Sequence, residues 1–197
     1  MQEILFKTTW PEWFGVFFSI FQVLLARKNN SNNYLFGIAG ISLSLYVMFF
    51  AKLYAEFTLN LYYLVMSIYG WLYWKFGKQQ SEAKISETTN QEKLITAGIV
   101  IGTFSLFWFF LTHFTDSDVP ILDSVVSAFA WAGMWLMARR KIENWILLNV
   151  SNIIAIPLLI HKDLYLYAGL TAFLFIVAIS GYMEWRKIIK KRVDAYA

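Results

Sequence analysis

One short stretch occurs twice in this chain: residues 70–75 read GWLYWK, and residues 181–186 read GYMEWR. Each copy contains a glycine, an aromatic residue, two further residues, a tryptophan and a basic residue. The copies are 111 residues apart, and the same offset places Asn33-Tyr34 on Asn144-Trp145. Self-similarity at one fixed offset is typical of an internal structural repeat. The sequence therefore predicts two similar halves.

The composition places both halves in a membrane. Of the 197 residues, 58% are hydrophobic and 15% are charged, and the mean hydropathy is +0.50. A soluble domain has about 45–50% apolar and about 25% charged residues. The charges also occur in clusters between long apolar runs, so a water-soluble fold would lack the polar surface to cover those runs. We therefore expect an integral membrane protein.

Seven apolar segments meet or approach the length of about 20 residues that a helix needs to cross a bilayer. They are residues 13–26, 34–50, 56–74, 94–114, 120–138, 145–160 and 164–185. The first is the weakest, because it is short and contains Gln22. The sixth contains Pro157, which cannot donate a hydrogen bond to the carbonyl of Ile153 and predicts a kink.

A polar run, residues 75–93, divides the chain and predicts a flexible loop or a short surface helix. We therefore expect a three-helix repeat in residues 1–76, a polar cytoplasmic loop and linker helix in residues 77–118, and a second three-helix repeat with a basic tail in residues 119–197. A single linker helix leaves both repeats pointing the same way. The predicted fold is all-α, with seven transmembrane helices in a 3+1+3 parallel-repeat arrangement like that of SWEET transporters.

The basic residues predict the orientation. With seven spans, 14 Lys and Arg residues fall on one side and 3 on the other. Because positive charge concentrates on the cytoplasmic side, the N-terminus is expected outside and the C-terminus inside. The basic runs 139–141 and 186–192 are interpreted as inner-leaflet anchors. The outer side is net acidic. The same rule explains this charge, and the alternative is that the negative charge attracts a cationic solute.

Several functions are disfavoured by what the sequence lacks. It has no cysteine, and its two histidines, His113 and His161, lie near helix ends, so neither a metal site nor a cofactor is expected. No ionisable residue lies deep in a predicted span, which argues against a membrane enzyme and against proton coupling. A seven-helix receptor would fit the span count but would not explain the repeat. Neither a removable signal peptide nor a nucleic-acid partner is indicated.

Three stretches resemble the PnuC family of bacterial vitamin transporters: residues 26–46, 53–74 and 138–170, the last followed by GYMEW. The most specific motifs are YGWxxW at the end of the third span and ARxxxENW before the sixth. Leu35 departs from the family pattern, in which many members have proline before the Phe-Gly pair. The departure concerns the local geometry of a helix start more than the function.

The resemblance implies a SWEET-like transporter in the bacterial inner membrane. It implies uptake of nicotinamide riboside by facilitated diffusion, with a cytoplasmic kinase that traps the cargo by phosphorylation. Thiamine or riboflavin, carried by some branches of the family, remains the alternative. The expected partners are a small vitamin, membrane lipid and, functionally, that kinase. The sequence leaves the oligomeric state open, including a homo-oligomer.

A vitamin of this class needs aromatic faces for its flat ring and neutral polar groups for its hydrogen bonds. Trp145, Asn149 and Asn152 lie on one face of the sixth helix and are the first candidates. The alternative is that the two amides only join helices. The other candidates are polar or aromatic residues predicted at membrane depth, and helix packing is the alternative for each: Trp131, Gln22, Asn60 and Tyr63.

Overall fold

The computed structural model describes residues 10–50, 54–77 and 83–195, and seven helices lie in these ranges. They are α1 (Trp10–Arg27), α2 (Asn33–Phe50), α3 (Tyr54–Phe76), α4 (Asn90–Phe114), α5 (Pro120–Ala138), α6 (Asn144–His161) and α7 (Tyr165–Asp194). The all-α fold class is confirmed. Each predicted span corresponds to one helix, and α6 continues through Pro157 to His161.

Four of the helices, α4 to α7, are long and apolar enough to cross a membrane, judged on the described residues. In α1 the apolar part is shorter, Trp13–Arg27. Two helices extend past the predicted spans. α4 begins at Asn90, and α7 continues through a basic segment to Asp194. Hydropathy marks the part of a helix that fits the bilayer, so it misses polar turns that continue the same helix into water.

The chain folds as two compact units, Met1–Ala83 and Lys84–Ala197. In the first unit α2 packs against both α1 and α3. In the second unit each of the four helices packs against the next along the chain. The fourth helix is therefore in contact with α5. The finer division at residues 76 and 118 stays a prediction.

The turns before α2 and before α6 have the same hydrogen bonds. Asn29 and Arg140 both adopt a left-handed conformation, with φ of 57° in each. In the first turn the Asn30 N–H donates to the Leu25 carbonyl at 2.9 Å, and in the second the Lys141 N–H donates to the Leu136 carbonyl at 2.9 Å. This is the Schellman pattern of a helix end. The 111-residue offset in the sequence thus corresponds to a repeated turn.

An aromatic ring near the start of α6 is enclosed by α7. Trp145 is buried and meets Trp185 edge-on, with ring centroids 5.5 Å apart and planes at 84°. A Cβ atom added at Gly181 would lie 2.8 Å from the Trp145 ring. Because carbon atoms pack at about 3.5–4.0 Å, only glycine permits this approach of α7 to the indole.

The first unit repeats this contact at the positions offset by 111. Tyr34 near the start of α2 is buried and meets Trp74 edge-on, with centroids 5.2 Å apart and planes at 90°. A Cβ atom at Gly70 would lie 2.5 Å from the Tyr34 ring. The two copies of the glycine–tryptophan motif therefore perform the same packing function in their own units.

Residues 84–89 are fixed to the α5–α6 turn, although a flexible loop or a short helix was predicted here. Ile85 is 1% exposed. The Ser86 N–H donates to the Arg140 carbonyl at 3.3 Å, and the Thr88 N–H and hydroxyl donate to Glu143 Oε1 at 2.9 and 2.8 Å. This part of the predicted loop is an ordered strap, and residues 78–82 lie outside the described residues.

The interpretation of residues 139–141 as lipid anchors was wrong, because these residues serve the protein interior. Arg140 and Lys141 are buried. Glu92, held in the first turn of α4 by a capping box with Thr89, pairs with Lys141 Nζ at 2.8 Å and with Arg139 Nη2 at 3.3 Å. A buried cation requires such a partner. The second basic run is mostly exposed, and Arg192 donates to the Ile85 carbonyl at 2.9 Å.

An ion pair and a hydrogen bond join the turns at the other end of the second unit. Lys162 Nζ lies 2.7 Å from Asp123, and His161 Nε2 lies 2.8 Å from Asp118. The hydrogen bond to His161 holds the pKa of Asp118 below its usual value. These two contacts connect the α4–α5 region to the α6–α7 turn.

The ring-on-glycine contact predicts the effect of two substitutions in α7. Gly181→Ala should destabilise the protein by about 1–3 kcal/mol, because the new methyl group overlaps the Trp145 ring. Gly169→Ala is the matched control: nothing lies within 4 Å of its added Cβ, so the gain in helix propensity of up to about 1 kcal/mol should dominate.

Thermal unfolding of the purified protein in detergent measures both effects. A lower midpoint is expected for Gly181→Ala and an unchanged or higher one for Gly169→Ala. Equal midpoints for the two variants would contradict the packing function assigned to Gly181.

Candidate functional site

A cavity of about 370 Å³ that is open at the surface lies between α6 and α7 in the second unit, and four residues of its lining are exposed: Ile146, Ile153, Ile179 and Met183. Binding sites for small molecules are generally apolar clefts of this size with a few polar groups. Its walls are mostly aliphatic and aromatic, and no charged residue is among those that line it. The lining residues are Trp145, Ile146, Asn149, Val150, Ile153, Phe175, Ala178, Ile179, Tyr182 and Met183.

Two buried polar atoms belong to residues that line this cavity. Asn149 Oδ1 and Trp145 Nε1 have no hydrogen-bond partner in the part of the chain that the structure describes. One is an acceptor and the other a donor, and each buried group left unpaired costs about 1–3 kcal/mol. Both atoms are shielded from solvent, and each belongs to a residue that lines the cavity.

The structure brings Trp145 and Asn149 together, since both lie on the side of α6 that faces α7. Trp145 is also packed against Gly181 and Trp185, so much of its ring is already in contact with protein. Asn152, three residues after Asn149, is half-buried and is not among the residues that line this cavity.

Two aromatic residues of the cavity were not among the sequence candidates, Phe175 and Tyr182. They lie seven residues apart on α7 and share a face with Ala178 and Ile179. This i, i+3, i+4, i+7 pattern is visible in the sequence. The pattern does not mark one face, because the apolar run of α7 has hydrophobic residues on every side.

Trp131, predicted to stack on a ring, lies on α5 and is half-buried. Its indole meets Phe107 of α4 edge-on, with centroids 5.4 Å apart and planes at 90°. It is not among the residues that line the α6–α7 cavity. The described contact of Trp131 therefore joins α4 to α5.

The remaining candidates belong to the first unit. Gln22 of α1 lies against Gly37 of α2, where an added Cβ would be 2.8 Å from Gln22 Nε2. This close approach is typical of helix packing. Asn60 and Tyr63 of α3 are half-buried, and the Tyr63 ring lies 5.8 Å from that of Tyr62.

The described residues form no group of three or more His, Cys, Asp or Glu side chains that could hold a metal ion. The α6–α7 cavity is lined by aromatic and aliphatic side chains and one amide.

Comparison with known proteins identifies the family of this chain. A family model described as "Nicotinamide mononucleotide transporter" matches residues 9–187. The nicotinamide riboside transporter PnuC of Neisseria mucosa is 30% identical over 192 residues, which cover 86% of this chain and 69% of that protein. The protein of the same name from Escherichia coli is 23% identical over 213 residues, which cover 95% of this chain and 89% of that protein.

A solved structure is also similar. The crystal structure described as that of the vitamin B3 transporter PnuC superposes with a TM-score of 0.72 and 26% sequence identity. The match covers 95% of this chain and 85% of that chain. This chain therefore belongs to the nicotinamide mononucleotide transporter family, and it is a membrane transport protein of the PnuC type, not an enzyme.

Proposed function

We propose that this protein carries nicotinamide riboside across the bacterial cytoplasmic membrane by facilitated diffusion. In this proposal all seven helices span the bilayer as two parallel three-helix repeats joined by α4, with the N-terminus outside and the C-terminus inside. The repeated Schellman turn and the 14-to-3 division of basic residues support this arrangement. The names of the relatives supply the substrate class.

The absence of charge in the α6–α7 cavity favours the riboside over the mononucleotide. A phosphate monoester carries a charge of about −1.5 to −2 at neutral pH, and proteins bind it with Arg, Lys or helix N-termini. No Lys or Arg is among the residues that line the cavity. A phosphorylated cargo would therefore be buried there without a counter-charge.

The groups that are present match the riboside. Its flat pyridinium ring is a cation, and the aromatic side chains of Tyr182 and Phe175 in the cavity attract cations by about 0.5–2 kcal/mol. Its carboxamide both donates and accepts, as Asn149 Oδ1 and Trp145 Nε1 require. We propose Trp145, Asn149 and Tyr182 as substrate contacts, and Asn152, Trp131, Gln22, Asn60 and Tyr63 stay predictions.

The distribution of ionisable residues supports diffusion without coupling to protons. In the described helices, Asp, Glu, His, Lys and Arg side chains lie near helix ends or in the basic C-terminal part of α7, for example Glu92 in α4 and Asp123 in α5. Transporters driven by protons place such groups at membrane depth. A carrier that only equilibrates its cargo needs a second step to retain it, and phosphorylation by a cytoplasmic kinase supplies that step.

Thiamine is the alternative cargo, because it also is a flat cation with hydrogen-bonding groups, and riboflavin is a further aromatic candidate. Neither carries the carboxamide that would pair with Asn149. The choice among these cargoes can therefore be tested by measuring their binding.

Calorimetry of the purified protein should show saturable binding of nicotinamide riboside. The mononucleotide should bind about a hundredfold more weakly, because burying a charge without a partner costs about 3 kcal/mol or more. Thiamine and riboflavin serve as comparison ligands. Saturable heat with thiamine and none with the riboside would replace the proposed cargo, and equal affinity for riboside and mononucleotide would refute the argument from charge.

Substitution of the two amides on α6 should locate the substrate. Asn149→Ala should weaken riboside binding about tenfold, because the ligand donor loses its acceptor in a buried site. Asn152→Ala on the same helix separates the two predictions: if the substrate lies in the α6–α7 cavity, binding should change less than threefold, since Asn152 does not line the cavity. A larger effect at position 152 would place the substrate on another face of α6.

Transport in proteoliposomes tests the mechanism. Uptake of labelled riboside should stop when the internal and external concentrations are equal, and a proton gradient of either sign should not change that end point. Enclosing a riboside kinase and ATP should raise the internal label severalfold. Accumulation of unmodified riboside above the external concentration would contradict facilitated diffusion.

A further inference from the structure

A second cavity, of about 580 Å³, lies among α4, α5, α6 and the strap of residues 84–89. Its polar lining residues are at one end: Thr88, Lys93, Thr96 and Glu143. Its apolar lining residues are Ala97, Val100 and Ile101 of α4, with Leu136 and Leu147 close to the α5–α6 turn. From Lys93 to Ile101 the lining extends about 12 Å along α4, at 1.5 Å per residue. The cavity thus changes from polar to apolar along α4.

The two carboxylates near its polar end differ in how many of their oxygens accept a hydrogen bond. Glu92 is fully engaged with Lys141, Arg139 and Thr89. Glu143 uses only one oxygen: Oε1 accepts two hydrogen bonds from Thr88, whereas Oε2 is buried without a partner in the described part of the chain. A buried carboxylate oxygen without a donor is costly, and because Glu143 is among the residues that line the cavity, a cationic N–H group placed there would have a carboxylate beside it.

Lys93 supplies the opposite charge at the same cavity. Its side chain is exposed, and it forms no ion pair with a carboxylate in the described ranges. An ammonium at the water interface can approach a phosphate while its stem lies along apolar surface. The cavity therefore combines an acceptor for a cation, a cation for a phosphate and an apolar channel.

We propose that this cavity binds a phospholipid whose headgroup carries a primary ammonium, as in phosphatidylethanolamine. The ammonium donates to Glu143 Oε2, the phosphate lies beside Lys93, and an acyl chain lies against Ala97, Val100 and Ile101. Lipid has access from the bilayer, because only 11% of the apolar window of α4 is buried.

The charges distinguish this headgroup from other common ones. Phosphatidylglycerol has no cation, so it would add a negative charge beside Glu143. Phosphatidylcholine has a cation, but its quaternary nitrogen has no N–H to donate. Both lipids share the acyl chains and the phosphate, so any preference among the three reports on the group that meets Glu143.

The test is lipid binding to the full chain, measured by native mass spectrometry of detergent-purified protein titrated with the three lipids carrying identical acyl chains. Phosphatidylethanolamine should bind at least about fivefold more tightly than either of the others, as expected for one hydrogen bond to a charged group. Equal binding of the three lipids would overturn the proposal.

Two variants, Glu143→Gln and Ala97→Phe, locate the site, and each has a control. Glu143→Gln keeps the acceptor for Thr88 but removes the charge, so binding of phosphatidylethanolamine should fall to that of phosphatidylcholine. Glu87→Gln, at an exposed glutamate of the same strap, is its control and should keep the fivefold preference. A preference retained in Glu143→Gln would overturn the proposal.

Ala97→Phe does not alter the charge cluster, so it tests the proposal even if Glu143→Gln fails to fold. It fills the apolar channel and should abolish tight binding of all three lipids. Ile95→Phe, on α4 but outside the cavity lining, should bind as the unaltered protein does. Unaltered binding of phosphatidylethanolamine by Ala97→Phe would show that the lipid lies elsewhere.

Discussion

The contact between an aromatic ring and a glycine, made once in each unit, is the constraint on which the rest of the structure depends. In the second unit Gly181 lets α7 approach Trp145 to within van der Waals distance, and Trp185 closes the edge of the ring. This approach fixes the spacing of α6 and α7. Asn149 and Tyr182, one turn beyond Trp145 and one residue beyond Gly181, then line the cavity between the two helices. The residues that determine the packing therefore also position the walls of the candidate site.

The sequence predicted the seven helices because each depends on a local property, the length of an apolar run. It did not predict the strap, because the bonds from Thr88 to Glu143 join residues 55 positions apart. In the local sequence Ile85 is a single apolar residue in a polar run, so nothing marks it as buried. Arg140 and Lys141 were assigned to lipid headgroups for the same reason. A basic run that follows a span looks the same whether its partners are phosphates or a carboxylate of another helix.

The candidate site shows the same division between local and distant information. Helical spacing correctly placed Trp145 and Asn149 on one side of α6. It could not show which neighbouring helix a side meets, so it does not separate Asn149, which lines the α6–α7 cavity, from Asn152, which does not, and it does not show that Trp131 meets Phe107 of α4. Tyr182 was overlooked because its side of α7 is no more polar than the others. Periodicity gives the direction of a side chain about its own helix, and only packing gives its partner.

The two cavities described above differ in the unpaired polar groups of their lining residues, and that difference separates their proposed ligands. In the α6–α7 cavity these groups are an amide oxygen and an indole N–H, neither of them charged, which suits a solute that must bind and leave again. The other cavity offers a carboxylate oxygen and an ammonium, which suits a zwitterionic headgroup that stays. Glu143 immediately precedes α6, and Trp145 lies two residues later. A lipid that binds Glu143 would therefore act on the turn that carries Trp145, so we expect the two sites to share one structural element.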